Sequence, residues 1–208
     1  MMHAGTRILN TNTKVDMNKL YFGWDPGMTG GLSALNGDGF CKATPTPVIK
    51  GTKKGSKGVI DIRTVRDWMI DTTLNYMIPD LGTIVGYTPS NLEPRYKEAM
   101  RRGMGAITIE KVHSFKGQGI ASSFSFGMGY GMLQGLCEGV GWGYQLVTPQ
   151  AWKKLILAGT QKDKGAACQY VHKLFPDVDL KATPRCKTDH DGMADAICMA
   201  EFGRRMLS

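Results

Sequence analysis

Two short apolar runs, LYFGWD at 20–25 and GLSALN at 31–36, are separated only by PGMTG. Runs of this length bounded by Pro and Gly read as strands, and so short a linker forces them to lie side by side. Asn36-Gly37-Asp38-Gly39 is a hairpin signal, which places a third strand over 39–44. The chain therefore opens on three consecutive strands with tight connections. Asp25 is the anomaly in this segment. A carboxylate closes a strand that its neighbours would bury, and an unpaired buried charge is costly.

Downstream the pattern changes. Thr44 to Gly58 is rich in Pro, Lys and Gly and reads as an exposed loop. Asp61 is placed to cap a helix running to about Met77, with Val65, Trp68, Met69 and Thr72 at helical spacing and Pro79 as the stop. A basic insertion follows around 87–104, with a short helical piece over 94–102. AITIEKV at 106–112 alternates like a strand and carries a second acid, Glu110. A Ser/Gly-studded helix is expected over 121–138, where Gly127, Gly129, Gly131 and Gly135 allow another backbone to come close. YQLVT at 144–148 is a strand, and Pro149 opens a helix at QAWKKLIL. Further helices are expected over 163–175 and 190–206. Three hairpin-linked strands followed by strands alternating with helices predict an α/β domain: a five-stranded mixed sheet with helices on both faces. One domain over 19–208 accounts for the length, preceded by a flexible arm at 1–18 in which Met17 is a second plausible start.

No stretch has the run of apolar residues that a membrane helix needs, and the N-terminus lacks the apolar segment of a secretory signal. These features predict a soluble protein of the cytoplasm of a bacterial or phage-infected cell, or of an organelle. The five cysteines form no Cys-x2-Cys pair, and the four histidines share no ligand spacing with them, so structural zinc is not expected. Lys and Arg outnumber Asp and Glu by 26 to 18, a net charge of +8 that suits a polyanionic partner. The excess is clustered at Lys50, Lys53, Lys54 and Lys57, at Arg95, Lys97, Arg101 and Arg102, and at Lys153, Lys154, Lys162 and Lys164.

In this basic chain four acids share a pattern. Asp25 and Glu110 close strands, and Asp191 and Asp195 lie four apart at the start of the last helix, on one face. Taken singly, each has an ordinary explanation as a turn, surface or capping residue. Brought together they would repel one another unless cations sat among them, and all-oxygen ligands suit Mg2+ or Mn2+. Two such ions can activate water and stabilise the departing oxygen in phosphodiester hydrolysis.

Asp25-Pro26-Gly27 with Thr29-Gly30 after an apolar strand, IEKVHS around Glu110, VTPQAWKK, and DHDGMADAICMAEF resemble, in order and spacing, the landmarks of RuvC-like Holliday junction resolvases of the ribonuclease H-like superfamily. The resemblance spans residues 19–206 and points to a divergent or phage-type member. It implies a ribonuclease H-like fold and a homodimeric endonuclease with two Mg2+ per site, Mn2+ substituting, that nicks four-way DNA junctions symmetrically. It carries the catalytic and metal-binding roles to Asp25, Glu110 and Asp195. The fourth ligand departs from the bacterial pattern, because Gly192 stands three residues before Asp195; Asp191 takes the role here, with His190 as competitor. His113 and Phe115 hold the place of a base-stacking aromatic, with Lys116 beside them. Lys153, Lys154, Lys162 and Lys164 are expected at phosphates, and Arg101, Arg102, Lys53 and Lys54 as further DNA contacts. The insertion would widen the footprint or meet the other subunit.

Other readings compete. Asp-x-Gly-x-Thr-Gly also opens the nucleotide-binding fold of sugar kinases and actin-like ATPases, normally built from two lobes and far longer. A broader branched-DNA nuclease would share the acids, and a non-catalytic DNA-binding protein of the same fold would share the charge but gain nothing from the carboxylates.

Overall fold

The computed structural model describes residues 19–52, 58–78, 94–113, 117, 119–160 and 165–206. The expected arm at 1–18, residues 87–93 of the insertion, and Lys53, Lys54, Lys57, Phe115, Lys116, Lys162 and Lys164 lie outside them.

The opening strands form as the sequence predicts: β1 (Leu20–Trp24), β2 (Gly31–Leu35) and β3 (Cys41–Pro45) pair antiparallel in succession. Asn36 sets the second turn. Its side-chain oxygen accepts from the backbone N–H of Asp38 and Phe40, each at 2.9 Å, and its amide donates to Tyr76 Oη at 2.6 Å. Gly39 takes a left-handed φ of 96°, which a side chain would disfavour. Inside the expected loop, β4 (Val48–Ile49) and β5 (Val59–Ile60) form a small separate antiparallel sheet. Pairs of two residues are too short to carry a periodic signal in the sequence.

Helix α1 (Ile62–Met77) starts at its predicted cap, where Asp61 accepts from the Thr64 N–H at 3.2 Å. Then come α2 (Pro94–Gly103), β6 (Met104–Glu110), α3 (Ile120–Val140), β7 (Tyr144–Val147), α4 (Pro149–Ile156), α5 (Ala166–Leu174) and α6 (Asp191–Met206). The main sheet runs β3-β2-β1-β6-β7, with β1, β6 and β7 parallel. This is the expected five-stranded mixed sheet.

Each face of the sheet carries its own core. Phe22, Trp24, Leu32, Ile107 and Ile109 pack toward α1 and α3, while Tyr21, Leu35 and Val147 pack toward α4, α5 and α6. Helix α6 sits closest to the strands because small residues meet on both sides. A methyl group at Gly23 would strike the Ala196 carbonyl and lie 2.6 Å from the Ala200 nitrogen. One at Gly192 would lie 2.6 Å from both the Gly30 Cα and the Thr29 carbonyl oxygen. Gly30 and Gly192 also form a parallel β-bridge, which ties the start of α6 to the β1–β2 connection. Farther along α6, buried Glu201 is clasped by Arg204 and Arg205, and Arg205 also donates to Tyr170 of α5 at 2.8 Å. Desolvation raises the Glu201 carboxyl, but hydrogen bonds from both arginines reverse this and hold it below its ordinary value.

Gly23→Ala is expected to cost about 2–3 kcal/mol, since backbone rather than a flexible side chain blocks the added carbon. The denaturation midpoint measures it. An unchanged midpoint would mean that α6 can lift off β1 without penalty.

Candidate active site

Register places the first two acids. Trp24 of β1 pairs with Ile109 of β6, so Asp25 and Glu110 are the next residues on neighbouring parallel strands, about 4.8 Å apart in the pairing direction. They continue the side-chain row of Gly23 and Thr108, on the face covered by α6. Asp195 stands on α6 between Gly192, against Gly30, and Ala196, against Gly23. The glycine contacts that seat the helix therefore also bring Asp195 to the strand ends.

The three carboxylates feel one another. Desolvation pushes Asp25 up, opposed by the Gly27 N–H, which donates to its Oδ1 at 3.2 Å, and by Lys153. Glu110 is likewise raised by desolvation, relieved by Trp152 Nε1 donating to its Oε1 at 2.9 Å, and raised again by Asp25. Asp195 reaches about 6: desolvation dominates, Lys153 opposes, and Asp25, Glu110 and Asp191 add to the rise. Lys153 is thus the cation common to all three acids. It projects from α4 with its Nζ 5.0 Å from the centroid of the Trp152 ring. Thr148 caps α4, accepting from the Ala151 N–H at 3.3 Å, which fixes the helix directly after β7.

Asp191 is exposed and shares with Asp195, Lys153, Lys154, Gln150 and Thr160 the lining of a cleft of ≈ 680 Å³. Its Oδ1 lies 3.8 Å from Cys168 Sγ, whose thiol is pushed up to about 11 by burial and by the nearby acids. His190 is committed otherwise. Its Nδ1 accepts the Met193 N–H at 3.2 Å as a cap for α6. Gly192, the departure from the bacterial pattern, has a steric reason, because Gly30 and Thr29 leave no room for any side chain there. Asp189 is held in a local network with His172 at 2.8 Å and Lys181 at 2.6 Å.

Among the described residues, no three His, Cys, Asp or Glu side chains already meet around one ion position. The donor set nevertheless fits a hard divalent cation: all-oxygen groups, partly buried and raised chiefly by desolvation, with carboxylate repulsion adding at Glu110 and Asp195, are the groups whose charged forms a cation would favour.

The predicted DNA contacts divide. Lys153 and Lys154 flank the acids, and His113 is exposed three residues past Glu110. Arg101 and Arg102 are not with them. Both bind Glu98, at 2.7 Å, on α2, at the other end of β6 and so about 20 Å from Glu110 along the strand. Arg101 lines a separate cavity of ≈ 360 Å³ with Lys97 and Trp142. Trp152 is the neighbour of Glu110 that sequence reasoning missed; it stands inside VTPQAWKK, a phrase singled out above as a family landmark in which only the lysines were given a role.

No protein-family model and no curated protein matches the sequence. Solved structures do resemble it. A Thermus thermophilus RuvC structure is 18% identical, with 89% of this chain and 96% of that one covered and a TM-score of 0.44. T. thermophilus RuvC in complex with a Holliday junction substrate is 16% identical, with 90% and 96% covered and a TM-score of 0.46. The yeast mitochondrial Holliday junction resolvase Ydc2 is 15% identical, with 95% and 82% covered and a TM-score of 0.46.

The raised Asp195 gives a pH signature. Its folded pKa of about 6 exceeds the ordinary 3.8, so its contribution favours the fold below 3.8 and is lost as pH rises through about 6. In EDTA, Asp195→Asn is expected to be more stable than the parent by roughly 1–3 kcal/mol above neutral pH, with the gain vanishing near pH ~4. Paired thermal melts across that range check this; a gain that did not vary with pH would assign the effect to something other than this carboxyl.

Proposed function

We propose that this chain is a divalent-metal-dependent DNA endonuclease that resolves four-way junctions by paired nicking. One observation carries the reading: Asp25, Glu110 and Asp195, from two strands and a helix, lie within one another's electrostatic reach beside a cleft rimmed by lysines. Neither nucleic-acid binding nor stability alone accounts for it. Carboxylates repel phosphates, and three of them held partly desolvated weaken the fold.

In this reading Asp25, Glu110 and Asp195 hold Mg2+ or Mn2+, with Asp191 as the outer ligand; the capping role of His190 argues against its serving instead. When bound, the ions supply Lewis acidity and lower the pKa of a bound water. The chain supplies the geometry. Trp152 fixes the Glu110 carboxylate through its Nε1–H, and the sheet register fixes Asp25 beside it. Lys153 meets the scissile phosphate, where its charge offsets the acids that would repel that group, and Lys154 takes a neighbouring phosphate in the cleft. His113 lies along the emerging strand, placed to stack on an opened base. Arg101 and Arg102, on the far end of β6, serve at most a distant arm of the junction. Two symmetric nicks require two copies related by a two-fold axis.

The purified protein is expected to nick both strands of a synthetic four-way junction in Mg2+, to leave linear duplex intact, and to stop in EDTA. Asp25→Asn should bind the junction without cutting, and Trp152→Phe should cut about 10- to 100-fold more slowly with binding retained. Affinity should fall steeply with salt. Full activity of Asp25→Asn, or cutting in EDTA, would remove the mechanism; equal cutting of flaps and forks would widen the substrate to branched DNA in general.

A further inference from the structure

The strand ends carry a second opening, on the side of the sheet away from the lysine cleft. Pro26, which follows Asp25 directly, and Met28 form one wall, β5 forms another, and the first turns of α3 close it. The lysine cleft lies among α4, α5 and α6, so Asp25 stands at the strand end between the two. The walls are tied to the backbone of the acid itself. Thr46 donates its N–H to the Gly30 carbonyl at 3.0 Å and its hydroxyl to the Asp25 carbonyl at 3.4 Å, and Asp61, just past β5, donates to the Pro47 carbonyl at 2.9 Å. Ile60 of β5 then packs on Gly129 of α3, where an added methyl group would lie 2.8 Å from the Ile60 Cδ1.

Chemistry narrows what enters. No Asp, Glu, Lys, Arg or His lines this pocket, in a chain of net charge +8 whose other cleft at the site carries Lys153 and Lys154. A phosphate would go to the lysines. The mouth is apolar: Met28 is 39% exposed, Val59 37% and Met128 39%, with Phe126 half-buried beside them. The polar side chains of the lining are Ser122 and Ser125, one helical turn apart on the same face of α3. Apolar walls suit the faces of a flat ring, and hydroxyls, which both donate and accept, suit its polar edge. The volume of ≈ 240 Å³ falls just short of the roughly 300–1,000 Å³ of sites for drug-sized ligands, which leaves room for one ring system without a sugar and phosphate.

In DNA the neutral, flat group edged with donors and acceptors is the base. Within linear duplex every base is paired and stacked, and taking one out is costly; beside the crossover of a branched molecule the stack is already interrupted and the cost is lower. A pocket for one base therefore favours branched over linear DNA as well as one base over another. Stacking on His113 would not do the second, because a stacking platform is tolerant of sequence.

We infer that this pocket takes one unpaired base of the branched DNA while the neighbouring phosphate lies at Asp25, Glu110 and Asp195, and that Ser122 and Ser125 read the edge of that base. The inference rests on the nuclease reading for its substrate, and deepens it by locating where base preference arises.

Photocrosslinking tests occupancy without any cutting. Four-way junctions carrying a single 5-iododeoxyuridine at successive positions around the crossover are irradiated with the full chain in EDTA, and the adducts are mapped by mass spectrometry. Adducts at Met28, Phe126 or Met128 are expected from one position, and none from the same base within linear duplex. Ser125→Phe fills the pocket; it should keep the circular dichroism and melting of the parent and lose these adducts. In Mg2+ it should cut an intact junction about tenfold or more slowly, and recover on a junction with an abasic site at that position. Ser125→Ala keeps the space and should lower the parent's preference among bases there about fivefold, the worth of one neutral hydrogen bond. Adducts absent from the pocket at every position, Ser125→Phe cutting intact junctions as fast as the parent, or no recovery on the abasic junction would each overturn the pocket. Adducts as described without any cleavage by the parent would remove the nuclease reading and leave the pocket standing; cleavage without adducts would do the reverse.

Discussion

The seating of α6 on the β1–β2 strands is the contact on which the rest depends. A helix normally rides on a strand layer through side chains, but here Gly23, Gly30 and Gly192, with Ala196 and Ala200, let backbone meet backbone. Two things follow from one device. The core on that face closes without large residues beneath the first turns of α6, and the helix presents Asp195 at the level of the strand ends. A side chain beneath the helix would lift the carboxylate away from Asp25 and Glu110 as surely as it would open the core.

The acids themselves work against the fold. Desolvation raises all three, repulsion from neighbouring carboxylates adds to the rise at Glu110 and Asp195, and the chain offsets this with single contacts rather than full pairing: the Gly27 N–H for Asp25, the Trp152 indole for Glu110, and the Lys153 ammonium shared among the three. A tight salt bridge would have quenched the carboxylates and left them unavailable to a cation. One exposed lysine near three partly buried acids lowers the penalty at each of them. Sites that must bind charge commonly retain strain of this kind.

Much of this was legible in the sequence where the signal was local. The hairpin at Asn36–Gly39, the Asp61 cap and the acids closing two strands each rest on a few adjacent residues, and each appears where expected. Long-range partnerships were not legible. Trp152 and Glu110 are 42 residues apart, and nothing in either segment announces the other. Charge clusters carry no direction, so the sequence did not show that Arg101 and Arg102 lie on a helix at the far end of β6 from the acids. The glycines of α3 looked alike in the sequence, yet among the described residues Gly129 alone of them has a neighbour, Ile60, in the space a side chain would take.

The parallel register of β1 and β6 has a consequence for how such a centre can vary over time. The interval between Asp25 and Glu110 is locked by the hydrogen-bond ladder that pairs Trp24 with Ile109. Side chains alternate between faces, so the smallest slip that keeps both acids on the same side is two residues, about 6.6 Å. Gradual drift of the backbone cannot tune that interval. Fine adjustment is left to the length of the side chain itself, which makes the choice between Asp and Glu at these two places a ruler with a single graduation.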